Sequence, residues 1–250
     1  VDIYKTTVLN NCGFWVPYNK GGSFRKWYGN NLYLVNWSND GETLSNFKGS
    51  NIRNRSYHFK EGITWSTTSG SAFTGRKSPT GYLFDSKGCM AFSYGGISLE
   101  KLLAQMNAVT FNSFLDIITP TLDFNPGPVG NVPIEEVNNN VSEELVLENI
   151  SASKDDWNSY EISWDFQKHP LLRDVSTISE AFTEWQTECD DRFHRLKANE
   201  EELNRIFIDI YGLQDELTPE VADKDVTVHR IFDTKDAVPE SMKGSNYVRT

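Results

Sequence analysis

Residues 177–212 read TISEAFTEWQTECDDRFHRLKANEEELNRIFIDIYG and define the helical part of the fold. Thr177 and Glu180 form a Thr-x-x-Glu capping box at the start, and Gly212 suits a left-handed helix end. A second box joins Asn199 to Glu202, so the pattern predicts either a helix pair or one broken helix. The apolar residues recur every three or four positions, as on one helix face: Ile178, Ala181, Phe182, Trp185, Cys189, Phe193, Leu196, Leu203, Ile206, Phe207, Ile210 and Tyr211.

Shorter helices are predicted upstream of this stretch. Ser98 suits the N-cap of a helix through Leu99, Leu102, Leu103 and Met106. A second helix is predicted over 109–118, ending before Pro120. The proline- and glycine-rich residues 121–134 predict a loop that leads into an extended segment, and 143–150 a short helix.

Residues 1–97 have the character of strands and turns. Runs of β-forming residues between turn signals predict strands at 32–37, 62–66, 81–85 and 90–92. Residues 66–75 are rich in Ser, Thr and Gly and predict a loop. The predicted fold class is therefore α+β, a mixed strand-rich domain followed by a helical region. We predict a recognition domain over 1–135, a helical spacer or interaction region over 136–230, and a tail of unassigned structure over 231–250.

Composition excludes several classes of protein. The chain has 250 residues, 38% of them hydrophobic and 13% aromatic, which predicts a buried core and not a disordered chain. No apolar run approaches the roughly 18 residues that span a bilayer, and the first twenty residues lack a signal pattern. Cys12, Cys89 and Cys189 lie far apart, which is atypical of disulfide frameworks and zinc sites. We expect a cytoplasmic protein without a metal site, and the start at Val1 suggests a piece of a longer chain.

The net charge of −11 hides a division between two parts of the chain. Residues 1–100 hold eleven Lys and Arg against six Asp and Glu, a net +5. Residues 101–250 hold thirteen against twenty-nine, a net −16. Because phosphate binding depends on local positive charge, the whole-chain average does not exclude a nucleic-acid partner.

Three clusters of basic and aromatic residues lie within 18–28, 51–60 and 75–77. Arg and Lys bind phosphates, Arg pairs with guanine edges, and Asn pairs with adenine edges. The aromatic residues Trp27, Phe59 and Trp65 have core packing as the alternative role. The candidate DNA contacts are Lys20, Arg25, Lys26, Arg53, Arg55, Lys60, Ser66, Thr67, Arg76 and Lys77.

Several strings resemble the target-recognition region of PglX-type methyltransferases, the adenine-specific DNA methyltransferases of BREX phage-defence systems. They are PYNKGG (17–22), FRKWYGNN (24–31), VNW (35–37), FKEGITWS (59–66), GYLFD (81–85), GNVPI (130–134), WDF (164–166), NEEELN (199–204) and LTPE (217–220). The resemblance extends to about residue 230. It implies that this chain selects the adenine, as in restriction-modification systems, and that a preceding half binds S-adenosyl-L-methionine and methylates adenine N6.

The partners that the resemblance implies are double-stranded DNA, the protein's own N-terminal methyltransferase domain and other defence-system proteins. We assign no catalytic residue and no cofactor to this chain. Amino-directed methyltransferases need an Asn/Asp-Pro-Pro-Tyr/Phe loop, and the nearest string, Asn125-Pro126-Gly127-Pro128, lacks the paired prolines and the aromatic ring.

Two other functions remain open at this stage. The acidic helical part suits a protein-interaction module that docks other defence components or a phage inhibitor. A nuclease or hydrolase fragment is the third class, and the absence of a clustered acidic-plus-Lys motif argues against it.

Overall fold

The computed structural model describes residues 15–121, 123–135, 141–234 and 237–242, together with the backbone of 248–249. The fold is α+β, as predicted. The strands are β1 (Trp15–Asn19), β2 (Tyr33–Asn36), β3 (Gly62–Trp65), β4 (Gly75–Ser78), β5 (Leu83–Phe84), β6 (Met90–Ala91), β7 (Arg230–Ile231) and β8 (Val248–Arg249). The helices are α1 (Ser38–Asn46), α2 (Leu99–Asn107), α3 (Val109–Ile118), α4 (Pro126–Gly130), α5 (Glu143–Asn158) and α6 (Ile178–Tyr211).

The amino-terminal strands form two small three-stranded sheets. In one, β1 lies between β2, which is antiparallel to it, and β5, which is parallel to it. In the other, β3 lies between β4 and β6, and both pairings are antiparallel. Trp27 forms an isolated bridge to Arg76 of β4, so the chain between β1 and β2 is held against the second sheet.

The four predicted strands are confirmed in position by β2, β3, β5 and β6. The strands β1 and β4 were not predicted, because Pro17 interrupts β1 and β4 is the polar sequence GRKS. Residues 38–41, a turn signal after the strand predicted at 32–37, begin α1, and Asn39, Asp40 and Gly41 have left-handed, non-helical backbone conformations there.

The two predicted helices after Ser98 are confirmed as α2 and α3. The Ser98 hydroxyl accepts a hydrogen bond from the Lys101 backbone N–H at 3.3 Å, the expected N-cap contact. The loop prediction for 121–134 missed α4, a short helix that begins at Pro126, a residue type preorganised for the first helical turn. Helix α5 extends eight residues beyond the predicted end at 150.

Helix α6 runs unbroken through the second capping signal. The first box forms reciprocally, since the Thr177 hydroxyl accepts from the Glu180 N–H and the Glu180 carboxylate from the Thr177 N–H, both at 3.1 Å. Gly212 ends the helix at φ 67°. The Asn199 side chain does not cap a helix, because its amide donates to the Asn149 side chain on α5 at 2.9 Å. The second capping box therefore does not begin a new helix.

One hydrophobic cluster joins both halves of the chain. It includes Trp27 and Ile63 from the strand-rich part, Phe193 and Phe207 from α6, and Met242 near the carboxyl end. The predicted division near residue 135 therefore does not separate two cores, and part of the predicted tail is packed into the common one. No helix in the described ranges is both long and apolar enough to cross a membrane. Within the same ranges no group of His, Cys, Asp and Glu side chains is arranged to hold a metal ion.

Cys189 on α6 belongs to a second, smaller cluster of buried residues, in which it lies with Trp185 and Ile231. The thiol is buried, and burial raises its pKa to about 11, so the reactive thiolate is scarce at pH 8. We expect iodoacetamide to label Cys189 about a hundredfold more slowly than in urea-unfolded protein, measured peptide by peptide with mass spectrometry. Equal rates in the folded and unfolded protein would show that α6 does not pack as described.

Candidate nucleic-acid interface

The ten candidate DNA contacts divide into buried and accessible groups. Four are exposed: Lys20, Arg53, Arg55 and Lys60. Lys77 is partly buried, and its ammonium donates to the Glu100 carboxylate at 2.6 Å. The other five are buried: Arg25, Lys26, Ser66, Thr67 and Arg76. Burial makes internal contacts the observed role of these five side chains, and their contact with DNA stays a prediction.

Arg25 lies at the centre of a buried ionic network. Its guanidinium donates to the Asp156 carboxylate at 2.8 Å and to the Tyr28 and Ser153 carbonyls at 2.8 and 3.1 Å. Gly29 makes this position possible, because a Cβ there would lie 2.5 Å from the Arg25 Nε and its φ of +121° is rarely adopted by other residues. The cation is therefore a link between the strand-rich part and α5.

Asp156 receives hydrogen bonds from a second direction as well. The backbone N–H of His229 donates to its Oδ1 at 2.9 Å, and the His229 ring Nδ1 lies 3.0 Å from both carboxylate oxygens. Burial acts to raise the pKa of Asp156, but His229 and Arg25 together lower that pKa well below its usual range. The carboxylate is thus held ionised inside the protein.

Lys26 and Trp27 form a second buried link, to α6. The Lys26 ammonium and the Trp27 indole N–H each donate to one oxygen of the Glu200 carboxylate at 2.7 Å. Glu200 is 3% exposed. Two of the acidic residues of the helical part are therefore internal counter-charges for the basic part.

Ser66 and Arg76 complete the buried group. The Arg76 guanidinium donates to the Arg25 carbonyl at 3.3 Å and lies 3.4 Å from the Ser66 hydroxyl. That hydroxyl donates to the Gly22 carbonyl at 3.0 Å, which closes the Gly21-Gly22 turn onto β3. The Ser66 hydroxyl therefore makes contacts inside the fold.

The accessible cations concentrate in residues 47–60, which we term the basic loop. Lys48, Arg53, Arg55 and Lys60 are all exposed, and no Asp or Glu occurs between Glu42 and Glu61. Phe47, at the start of the loop, is 70% exposed. The ten candidate DNA contacts did not include Phe47 and Lys48. Both lie in the run without Asp or Glu between Glu42 and Glu61, which is visible in the sequence.

Aromatic side chains hold the cations of the basic loop in place. The Arg55 guanidinium lies 5.5 Å from the Trp37 ring centre and donates to the Asp40 carboxylate at 2.7 Å. The Lys60 ammonium lies 5.2 Å from the Tyr57 ring centre. Such contacts orient exposed cations without removing them from solvent.

Backbone contacts fix the far end of the loop to the strand-rich part. Phe59 has a left-handed φ of 64°, and its N–H and carbonyl pair with the Tyr82 carbonyl and the Gly81 N–H at 3.0 and 2.9 Å. The neighbouring His58 ring packs edge-on against Trp37 and Phe84. These contacts therefore hold the carboxyl end of the basic loop in place against the strand-rich part.

The string nearest to a methyltransferase catalytic loop is part of a helix. Asn125 is the N-cap residue of α4, its side chain makes no cap hydrogen bond, and Pro126-Gly127 form the exposed first turn. An exposed helix start provides neither an aromatic face nor an enclosed polar cradle. These residues do not fit the target base or S-adenosyl-L-methionine.

Comparison with known proteins identifies two sequence relatives of the chain. No protein-family model matches the chain. It is 50% identical over 229 residues to the adenine-specific methyltransferase PglX of Lacticaseibacillus casei strain Zhang. The chain is homologous to the PglX-type adenine-specific methyltransferases. The chain is also 36% identical over 206 residues to the adenine-specific methyltransferase BrxX of Escherichia coli O9:H4 strain HS.

The two matches cover most of this chain and little of either relative. They extend over 86% and 82% of this chain but only 19% and 17% of the relatives. The chain therefore spans less than a fifth of the length of the curated relatives it matches.

Proposed function

We propose that this chain is the DNA-specificity part of an adenine-N6 DNA methyltransferase used in phage defence. The observation that carries the proposal is the exposed basic loop in a chain homologous to adenine-specific methyltransferases. In the proposal, double-stranded DNA contacts the basic loop and Lys20 in the cytoplasm. A separate N-terminal methyltransferase domain of the same protein binds S-adenosyl-L-methionine and receives the selected adenine.

The composition of the basic loop fits DNA better than it fits an acidic protein surface. Its cations suit phosphates and guanine edges, and Asn51 and Asn54 are exposed amides of the type that pairs with adenine edges. Phosphate contacts would hold the duplex in register, and amide or guanidinium contacts would select the sequence.

The strongly acidic whole chain does not oppose this proposal. Asp156 and Glu200 are buried and form ion pairs with Arg25 and Lys26 inside the protein. The basic loop is charged on its own surface, and electrostatic attraction falls off within about 8–10 Å at physiological salt. Local charge at the loop, and not the total of −11, governs the approach of DNA.

The test is modified-base sequencing of genomic DNA from cells that carry the full-length parent protein. The parent is compared with the double variant Arg53→Glu/Arg55→Glu and with Lys168→Glu/Lys224→Glu, which changes the charge equally at exposed lysines elsewhere. We expect a methylated adenine motif in the parent and in the control. The loop variant is expected to lose it or change it, because phosphate and base contacts are both removed.

Two results would contradict the proposal. A motif unchanged at full occupancy in the loop variant would place sequence selection elsewhere. The absence of any motif in cells with the parent would argue against the methyltransferase role and would favour a module that docks other defence-system proteins. Circular dichroism of the purified variants excludes loss of folding, which is relevant because Arg55 also contacts Asp40.

A further inference from the structure

A cavity of about 310 Å³ opens beside the carboxyl end of the basic loop. Its walls include Tyr57, Lys60, Glu61, Phe92, Tyr94 and Leu99. The volume lies at the lower end of the range for small-ligand sites. Three aromatic rings, one cation and one carboxylate in a single recess form a chemically selective surface.

The rings leave one aromatic face open to a ligand. Tyr57 packs against Phe92, with ring centres 4.8 Å apart, and Lys60 lies over the Tyr57 ring. Tyr94 is 74% exposed, although its hydroxyl lies 3.5 Å from that of Tyr57. The exposed Tyr94 ring therefore serves as a platform, and Tyr57 fixes its hydroxyl end.

The chain beside this platform leaves room for a ligand. Gly95 has a left-handed φ of +78°, and a Cβ built on Gly95 or Gly96 would meet nothing within 4 Å. A planar group stacked on Tyr94 would therefore not collide with side chains at the next two positions. Its attached sugar and phosphate would have space to extend along the loop.

The charges of the cavity distinguish between classes of ligand. A recess lined by aromatic rings and a carboxylate also suits a cationic ligand. Lys60 lines this cavity as well, and its positive charge would repel a cation. A nucleotide matches both charges, since the Lys60 ammonium binds a phosphate and the Glu61 carboxylate accepts a hydrogen bond from an amino group. Glu61 is free to do so in part, because its side chain is 54% exposed and lies 3.9 Å from Lys77.

We propose that this cavity binds a single unstacked nucleobase with an exocyclic amino group, stacked on Tyr94. The inference rests on the proposed role of the basic loop in DNA binding. In that role, the bound nucleobase would be a base displaced from the duplex. Base-stacking on exposed aromatic rings is the usual way in which proteins hold unpaired bases. Enzymes that modify bases expose their target outside the stack, so the cavity would hold the selected adenine before it enters the separate methyltransferase domain.

The experiment titrates AMP into the 250-residue chain and measures saturation transfer from protein to adenine protons by NMR. We expect Tyr94→Ala to weaken AMP binding at least fivefold, because the stacking face is removed. Tyr94→Phe keeps the ring and should retain binding. Tyr33→Ala, which removes an exposed tyrosine from the other sheet, is the matched control and should bind AMP as the parent does. Thymidine monophosphate, which lacks an amino group, should bind more weakly than AMP, and Glu61→Gln should reduce that difference.

A second measurement separates this inference from the proposed function. Binding of a matched duplex, and of the same duplex with one bulged adenine, is followed by fluorescence anisotropy. We expect the bulged duplex to bind more tightly and Tyr94→Ala to abolish the difference. Absence of AMP contact, or AMP binding unaffected by Tyr94→Ala, would overturn the inference whatever the duplex result. AMP binding that depends on Tyr94, with no duplex binding at all, would retain the cavity and contradict the DNA-specificity role.

Discussion

Replacing Asp156 with alanine is expected to lower the free energy of unfolding by about 3–5 kcal/mol. The change leaves the Arg25 guanidinium, 2% exposed, without its counter-charge. It also removes the acceptor for the backbone N–H of His229. Uncompensated charge in a low-dielectric interior is the largest single penalty that a substitution in this network can produce.

Urea unfolding at pH 7, followed by circular dichroism, measures the effect. Asp155→Ala is the matched control, since Asp155 is the neighbouring residue of α5 and is exposed, so a change within about 0.5 kcal/mol is expected. Asp156→Asn tests charge against shape, because the amide keeps the size and one acceptor but does not neutralise Arg25. A loss below 1 kcal/mol for Asp156→Ala would show that the network is not buried as described.

The same carboxylate should make stability depend on pH in the acid range. The folded-state pKa of Asp156 is lowered, so the unfolded chain takes up the proton first as the pH falls. The stabilising contribution is therefore complete above the unfolded pKa of about 3.9 and is lost progressively below it. We expect the difference in unfolding free energy between the unsubstituted chain and Asp156→Asn to shrink as the pH falls below about 4.

Replacing Glu200 with alanine is expected to destabilise the protein by a similar amount, about 3–5 kcal/mol. The change removes the only oxygens that the Lys26 ammonium and the Trp27 indole N–H reach in the described ranges, each at 2.7 Å. Both donors would then be buried without an acceptor. Because Trp27 bridges to β4 and Glu200 belongs to α6, the loss should be seen as cooperative unfolding of the whole chain.

Glu202→Ala on the same helix is the matched control, since Glu202 is partly exposed and forms an ion pair with the nearby Arg205. The double variant Lys26→Met/Glu200→Leu sharpens the test. Removing both charges should recover much of the stability lost in Glu200→Ala, whereas the Trp27 N–H would still lack its acceptor. No recovery in the double variant would mean that the loss arises from packing and not from the ion pair.

The two buried pairs also decide how the DNA-binding proposal should be tested. Arg25 and Lys26 of the strand-rich part are neutralised by residues 131 and 174 positions away. A fragment ending at residue 135 would lack both partners and the α5 and α6 faces of the common core. Substitutions on the surface of the whole chain are therefore the informative experiments.

Helix α6 shows how far local sequence determined the fold. Its apolar spacing, the Thr177 capping box and Gly212 predicted both ends to within a residue, because these signals act within a few residues of chain. The same applies to the Ser98 cap of α2 and to the strands bounded by turn residues. The sequence also carried the likeness to PglX-type methyltransferases, which the relatives confirm.

Only the tertiary structure decided which basic residues reach solvent. Arg25 and Lys20 are five positions apart in one basic and aromatic string, yet one is buried and the other exposed. The Asn199 side chain, a local capping signal in the sequence, likewise bonds in the fold to Asn149 of another helix. Periodicity and capping report on neighbours in sequence, whereas the burial of a charge depends on a counter-charge that folding brings from a distant part of the chain.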